Sequence, residues 1–207
     1  MLAEQALRLQ LARQIAHWRA AVVTIDDPSN FASAQAWAAV EGYLDLALRR
    51  RLQEAINRLR AESDGLAAQL KAAQTPEQLM AVRTRLIQFR QRYAQVETTL
   101  DFYGDAINTR TNPKLRAILR ALDLIAGRSM EAILRPLGRE APPALTYIDK
   151  GMGASILRAG VRLWDMGTVS PAAAIKITRH NLYRPTSLIH ETGHQVENLL
   201  GWAGEFA

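Results

Sequence analysis

Apolar residues recur every three or four positions along most of the chain. Leu7, Leu11, Ile15, Trp18 and Val22 draw one stripe, which predicts an amphipathic helix over Leu2 to about Thr24. Asp26-Asp27-Pro28-Ser29-Asn30 reads as a loop. Beyond it, Trp37, Val40, Leu44, Leu48, Leu52, Ile56 and Leu59 mark the buried side of a long helix from about Phe31 to Glu62. Ser63-Asp64-Gly65 is placed to break or kink that helix, and Leu66 and Leu70 carry the stripe on toward Ala73. Gln74-Thr75-Pro76-Glu77-Gln78 restarts a helix: Thr75 suits the N-cap, Pro76 the first helical position and Gln78 the reciprocal capping bond.

The next stretch has the cleanest period. Leu79, Val82, Leu86, Phe89, Tyr93, Val96, Leu100 and Tyr103 alternate steps of three and four, the seam of a coiled coil. The simplest partner is the preceding helix, folded back as an antiparallel hairpin over about residues 31–109. Pairing with a second copy or a partner protein through the same hairpin stays open. At seam spacing Phe89, Tyr93 and Tyr103 are core residues rather than a stacking platform. Thr111-Asn112-Pro113 opens a further helix with Leu115, Ile118, Leu119, Leu122 and Ile125 apolar. Gly127 is expected to interrupt it, and Met130 to Leu137 to form a short helix ending at Gly138.

After Arg139-Glu140-Ala141-Pro142-Pro143 the period changes to two. Ala144–Asp149, Ser155–Trp164 and Ala174–Arg179 read as strands, with turns at Lys150–Gly153 and Asp165–Thr168 and a bulge at Gly160. The expected fold is α+β. A helical region, residues 1–140, precedes a second region, residues 141–207, holding a small antiparallel sheet and a final helix.

Composition adds little to this picture. The chain has 207 residues, 48% of them hydrophobic, which is ample for a core. No apolar run reaches 18 residues, so no membrane span is expected. The first residues lack a basic segment followed by an apolar one, and no signal peptide is expected. Without cysteine the chain has neither disulfides nor thiolate ligands, and the cytoplasm is the default location. A net charge of +6 permits contact with nucleic acid. The arginines are spread along helices, however, so solvated faces explain the charge more simply and nucleic acid is not expected as a partner.

The chemistry concentrates in Ser187-Leu188-Ile189-His190-Glu191-Thr192-Gly193-His194-Gln195-Val196. Two His four residues apart on a helix lie on one face and can reach one ion. Pro185 before them and Gly201 after them fit the ends of a helix whose Ile189, Val196 and Leu200 would be buried. Gly193, at a cost of about 1 kcal/mol in a helix, would let another element approach closely. A catalytic zinc ion accepts imidazole nitrogen and keeps one position for water. Glu191 is placed to act as general base toward that water.

With this His-Glu-x-x-His motif, and with a small sheet leading into it, the sequence resembles the zincin class of zinc metallopeptidases. The motif resemblance spans about Arg184 to Leu200. It implies Zn²⁺ on His190 and His194, Glu191 as catalytic base, and a peptide or protein substrate held along a sheet edge, for which Ala174–Arg179 is a candidate. A third ligand is required. The extended motif would place a His six residues after His194, where Leu200 stands, so that subclass is excluded. Gluzincin-like relatives use a downstream Glu. Here Glu205 is the better candidate, because Gly201-Trp202-Ala203-Gly204 can turn the chain back, and Glu197 shares the His face. The ending Gly-Glu-Phe-Ala equally fits a chain that continues, with the ligand beyond Ala207. His180, Tyr183 and Arg184 are candidates for stabilising an oxyanion or contacting substrate. The competing expectation is a non-catalytic helical scaffold or regulatory protein with an incomplete or vestigial zinc site.

Overall fold

The computed structural model describes residues 2–40, 42–150, 154–157, 159, 162–163, 168–170 and 172–202. In chain order the helices are α1 (Leu2–Thr24), α2 (Ala34–Trp37), α3 (Gly42–Ala72), α4 (Pro76–Asn108), α5 (Pro113–Leu134) and α6 (Thr186–Leu200). The strands, all between α5 and α6, are β1 (Ala144–Ile148), β2 (Ser155–Leu157), β3 (Arg162–Leu163), β4 (Thr168–Val169) and β5 (Ala173–Ile177). Short 3₁₀ turns occupy Pro28–Phe31, Thr109–Thr111, Arg135–Leu137 and Arg179–Asn181. The fold is therefore mostly helical with a small sheet, α+β in class. Among the described residues no helix is long and apolar enough to cross a membrane.

The chain forms two compact units, Met1–Asn30 with Leu52–Leu100, and Phe31–Arg51 with Asp101–Ala207. The division expected at residue 140 does not coincide with them. Leu119, Leu122, Ala126, Met130 and Leu134 of α5 share one core with Ala144, Ala173, Ile175 and Ile177 of the sheet and with Leu188 and Val196 of α6.

In the first unit the seam residues Leu79, Val82, Leu86, Phe89, Tyr93, Val96 and Leu100 are all buried, as are Leu11, Ile15 and Val22 of α1 and Leu52, Ile56, Leu59, Leu66 and Leu70 of α3. Thr75 and Gln78 cap α4 reciprocally: Thr75 Oγ1 accepts from Gln78 N at 3.3 Å and Gln78 Oε1 accepts from Thr75 N at 3.2 Å. Arg8 donates to the carbonyls of Leu70 at 3.2 Å and Ala73 at 2.8 Å, satisfying acceptors that the end of a helix leaves open. Helix α3 does not break at Ser63-Asp64-Gly65. The Ser63 hydroxyl turns back onto the Arg60 carbonyl at 2.8 Å, and Asp64 pairs with Arg19 at 2.7 Å. Neither side chain then competes for the helix's own N–H groups.

The second unit corrects several expectations. Residues 31–40 do not belong to the long helix. Ser33 instead caps the short α2, accepting from Ala36 N at 3.1 Å, while its own N–H donates to Asn108 Oδ1 at 3.0 Å. Gly104 on α4 makes room for this segment, since a Cβ there would stand 2.2 Å from the Phe31 carbonyl oxygen. Helix α5 starts at an Asn112 cap followed by Pro113 and runs through Gly127, which was expected to interrupt it. Its buried stripe continues on both sides of that glycine, and packing outweighs a propensity cost of about 1 kcal/mol. The chain leaves α5 through Gly138, whose φ of 67° is the left-handed conformation that glycine adopts without penalty.

The sheet is mixed rather than antiparallel. Its order is β1-β5-β2, with β1 parallel to β5 (Thr146 opposite Ile175) and β2 antiparallel to it (Ile156 opposite Ile175). Period two fixes which residues face the core but not strand direction. The strand expected over Ser155–Trp164 is divided between β2 and β3, and β3 pairs with β4 in a separate ladder. The turns at Gly151–Gly153 and Asp165–Gly167 and the bulge at Gly160 lie outside the described residues. Because β5 has partners on both sides, it is not the free edge that the zincin resemblance assigned to Ala174–Arg179.

The β1 edge is closed by a buried charge pair. Arg110 and Asp123, each 1% exposed, meet at 2.8 Å. Arg110 Nη2 donates to the Thr146 carbonyl at 2.8 Å, and Asp123 Oδ1 accepts from Thr146 N and Oγ1, both at 2.7 Å. Burial pushes the Asp123 carboxyl up to about 6, against the opposing pull of Arg110 and the Thr146 hydrogen bonds. Behind the sheet, the buried Tyr103 hydroxyl lies 2.7 Å from Ser170 Oγ and donates to the Ala172 carbonyl at 3.3 Å, which fixes the approach to β5.

Candidate metal centre

Helix α6 carries the motif. It buries Leu188, Glu191, Thr192, Gln195 and Val196. The buried stripe is thus rotated from the expected one, and Ile189 is 47% exposed. Polar side chains enter this stripe because each has a partner or a border position. Thr192 Oγ1 returns to the Ile189 carbonyl at 2.7 Å. Gln195 donates to the Ala159 carbonyl at 3.1 Å and accepts from Ala159 N at 2.7 Å. The helix ends at Gly201, whose φ is 77°, as the sequence predicts.

His190 and His194 lie on the outward side of α6. Their ring centroids are 4.7 Å apart and the rings meet edge to face. Glu197, one turn on, accepts from His194 Nδ1 at 3.1 Å. A carboxylate accepts here, so Nδ1 carries a hydrogen, and in the neutral ring the lone pair is then on Nε2. That is the arrangement in which an outer carboxylate orients a ligating imidazole. Glu191 is 9% exposed, at the border between the His face and the core, and no hydrogen bond joins it to another described residue. Its carboxylate oxygens are not among the enclosed polar atoms that lack a partner, so the group reaches solvent at the edge of the His face.

The remaining candidates are distributed differently. Glu205 lies outside the described residues. Among those residues no group of three or more His, Cys, Asp or Glu side chains is placed to hold a metal ion. His180, in the 3₁₀ turn Arg179–Asn181, is exposed with Nε2 3.4 Å from Thr178 Oγ1. Tyr183 is 80% exposed and borders an apolar groove with Ile118, Leu122 and Ile125 of α5. Arg184 is exposed, and its N–H donates to the Asn181 carbonyl at 3.0 Å. Among the described residues no hydrogen bond, ion pair or ring contact joins these three to the His pair. At Gly193 no described residue outside the helix's own backbone comes within 4 Å of where a Cβ would stand, so among the described residues no other element makes the close approach expected there.

Sequence reasoning missed Gln195, Arg110 and Asp123. Asp123 had a signal, since it falls one turn from Leu119 on the apolar stripe of α5. No protein-family model, curated protein sequence or solved structure matches the chain.

Proposed function

We propose that the chain is a zinc-dependent peptidase, with the metal held by His190 and His194 and with Glu191 as the proton-transferring base. The observation that carries this reading is the outward His pair on α6, one ring held through Nδ1 by Glu197, beside Glu191 at the border between that face and the core. These residues fit two imidazole ligands and one orienting carboxylate. With Glu197 engaged on His194 Nδ1, Glu205 is the candidate third ligand in this reading.

Bound zinc would polarise a scissile carbonyl and acidify a water. The chain's own residues do the rest. His190 and His194 present neutral imidazole nitrogen on one face. Glu197 holds the His194 ring in the tautomer that leaves Nε2 free. The Glu191 carboxylate takes up a proton from the attacking water and returns it to the leaving amine nitrogen. In this reading α3 and α4 form the antiparallel hairpin. Its seam is buried within one chain, so a second copy or a protein partner would use the outward faces instead.

The test is hydrolysis of a fluorogenic peptide library with zinc supplied. Cleavage that a chelator stops and that Glu191→Gln lowers by at least a hundredfold, with zinc content unchanged, supports the proposal. Cleavage that survives Glu191→Gln removes Glu191 from the role.

A further inference from the structure

The first unit also holds a cleft whose lining differs in chemistry from the His pair. It lies between α1 and α4, has a volume of about 270 Å³ and is lined by Gln10, Gln14, Arg83 and Arg90 over the apolar floor of Leu11 and Leu86. We propose that this cleft binds a small ligand carrying oxyanion groups, phosphate or carboxylate, through Arg83 and Arg90.

The argument begins with charge matching. In this unit Arg8 pairs with Glu4, Arg19 with Asp64, Arg60 with Asp26 and Arg92 with Glu62. Among the described residues Arg83 and Arg90 have no carboxylate partner, although they are the two arginines that face the cleft. Both sit on α4 seven residues apart, hence on one side of the helix and about 10 Å apart along its axis. Arginine side chains are long enough to converge from that spacing onto one small anion. Arg90 is also held in place: its guanidinium lies 5.6 Å from the Trp18 ring centroid, and Trp18 packs edge-on against Phe89 and Tyr93. A pre-positioned guanidinium loses less side-chain freedom on binding.

Gln10 and Gln14 are four residues apart on α1, so their amides line the opposite wall on one face. Amide N–H groups complete the donor set that an oxyanion accepts, while their carbonyls bond a hydroxyl or amine elsewhere on the ligand. Two guanidinium groups and two amides over a narrow apolar floor select a compact anion. Guanidinium forks bind phosphate and carboxylate oxygens in pairs, so both classes remain chemically suited.

The experiment is isothermal titration calorimetry on the full chain at constant ionic strength, with pyrophosphate and with citrate as separate probes. Saturable binding of one equivalent of either probe is expected, and the preferred probe identifies the anion class. Arg83→Gln and Arg90→Gln should each weaken it roughly tenfold, and the double variant should abolish it. Arg58→Gln, which removes an exposed charge on α3 outside the cleft, should leave it unchanged. No saturable heat with either probe overturns the proposal. So does an equal loss in Arg58→Gln, which would mean that the binding reflects net charge alone. Circular dichroism of each variant separates loss of the site from loss of the fold.

Discussion

Gln195 on α6 grips both main-chain polar groups of Ala159, accepting from its N–H at 2.7 Å and donating to its carbonyl at 3.1 Å. Gln195 is 0% and Ala159 4% exposed. A side-chain amide thus does here what a neighbouring strand does in a sheet, and it ties the motif helix to the segment that follows β2. Gln195→Ala should cost about 2–4 kcal/mol, because two buried backbone groups lose their partners together. Urea unfolding measures it, and the Ala159 amide should exchange faster with solvent.

The Arg110–Asp123 pair makes a different prediction. Removing one partner strands a buried charge, so Arg110→Ala should destabilise by about 3–5 kcal/mol. Replacing both residues, as Arg110→Met with Asp123→Leu, should cost clearly less than Arg110→Ala does. If the double replacement costs as much as or more than Arg110→Ala, the hydrogen bonds to Thr146 matter more than the charges.

Asp123 also sets a pH dependence whose sign is unusual for an acid. Its folded-state pKa is about 6, above the ordinary 3.8, with burial as the main cause. The folded chain therefore binds this proton more tightly than the unfolded chain does. The Asp123 contribution to stability is full below about 3.8, falls as pH rises through that window, and is lost above about 6. On acidification from neutral pH to about 5, wild type should gain stability relative to Asp123→Asn, by denaturant midpoints at each pH. A carboxyl carbon chemical shift for Asp123 that titrates at or below the ordinary value would contradict this.

Two glycines should behave oppositely. At Gly104 a Cβ would meet the Phe31 carbonyl oxygen at 2.2 Å, whereas at Gly127 nothing described lies within 4 Å. Gly127→Ala should stabilise by about 0.5–1 kcal/mol through helix propensity. Gly104→Ala should instead destabilise by about 1–3 kcal/mol, because backbone must move. Thermal unfolding of the two variants side by side checks the contrast.

The parts of the fold that sequence made legible are those set by local rules. The Thr75–Gln78 cap, the Asn112-Pro113 start, the seam from Leu79 to Tyr103 and the Gly201 stop are each decided within a turn or by a regular period. What it missed was decided over long distance. Gly127 reads as a breaker until the buried stripe on either side of it is known. The parallel pairing of β1 with β5 spans the chain from Ile148 to Ala173, and no local pattern records its direction. In α6 the His pair and Glu191 were legible as a motif. The true buried stripe was not, because Thr192 and Gln195 are polar residues that become core only through partners distant in sequence or within the helix.

The most direct test of the proposed centre is metal content by elemental analysis, on purified wild type beside His190→Ala and Glu191→Ala, each supplied with zinc. One equivalent of zinc in wild type, lost in His190→Ala and kept in Glu191→Ala, is the result that the two-imidazole centre predicts. Wild type that retains no zinc, or His190→Ala that retains as much as wild type, would contradict it.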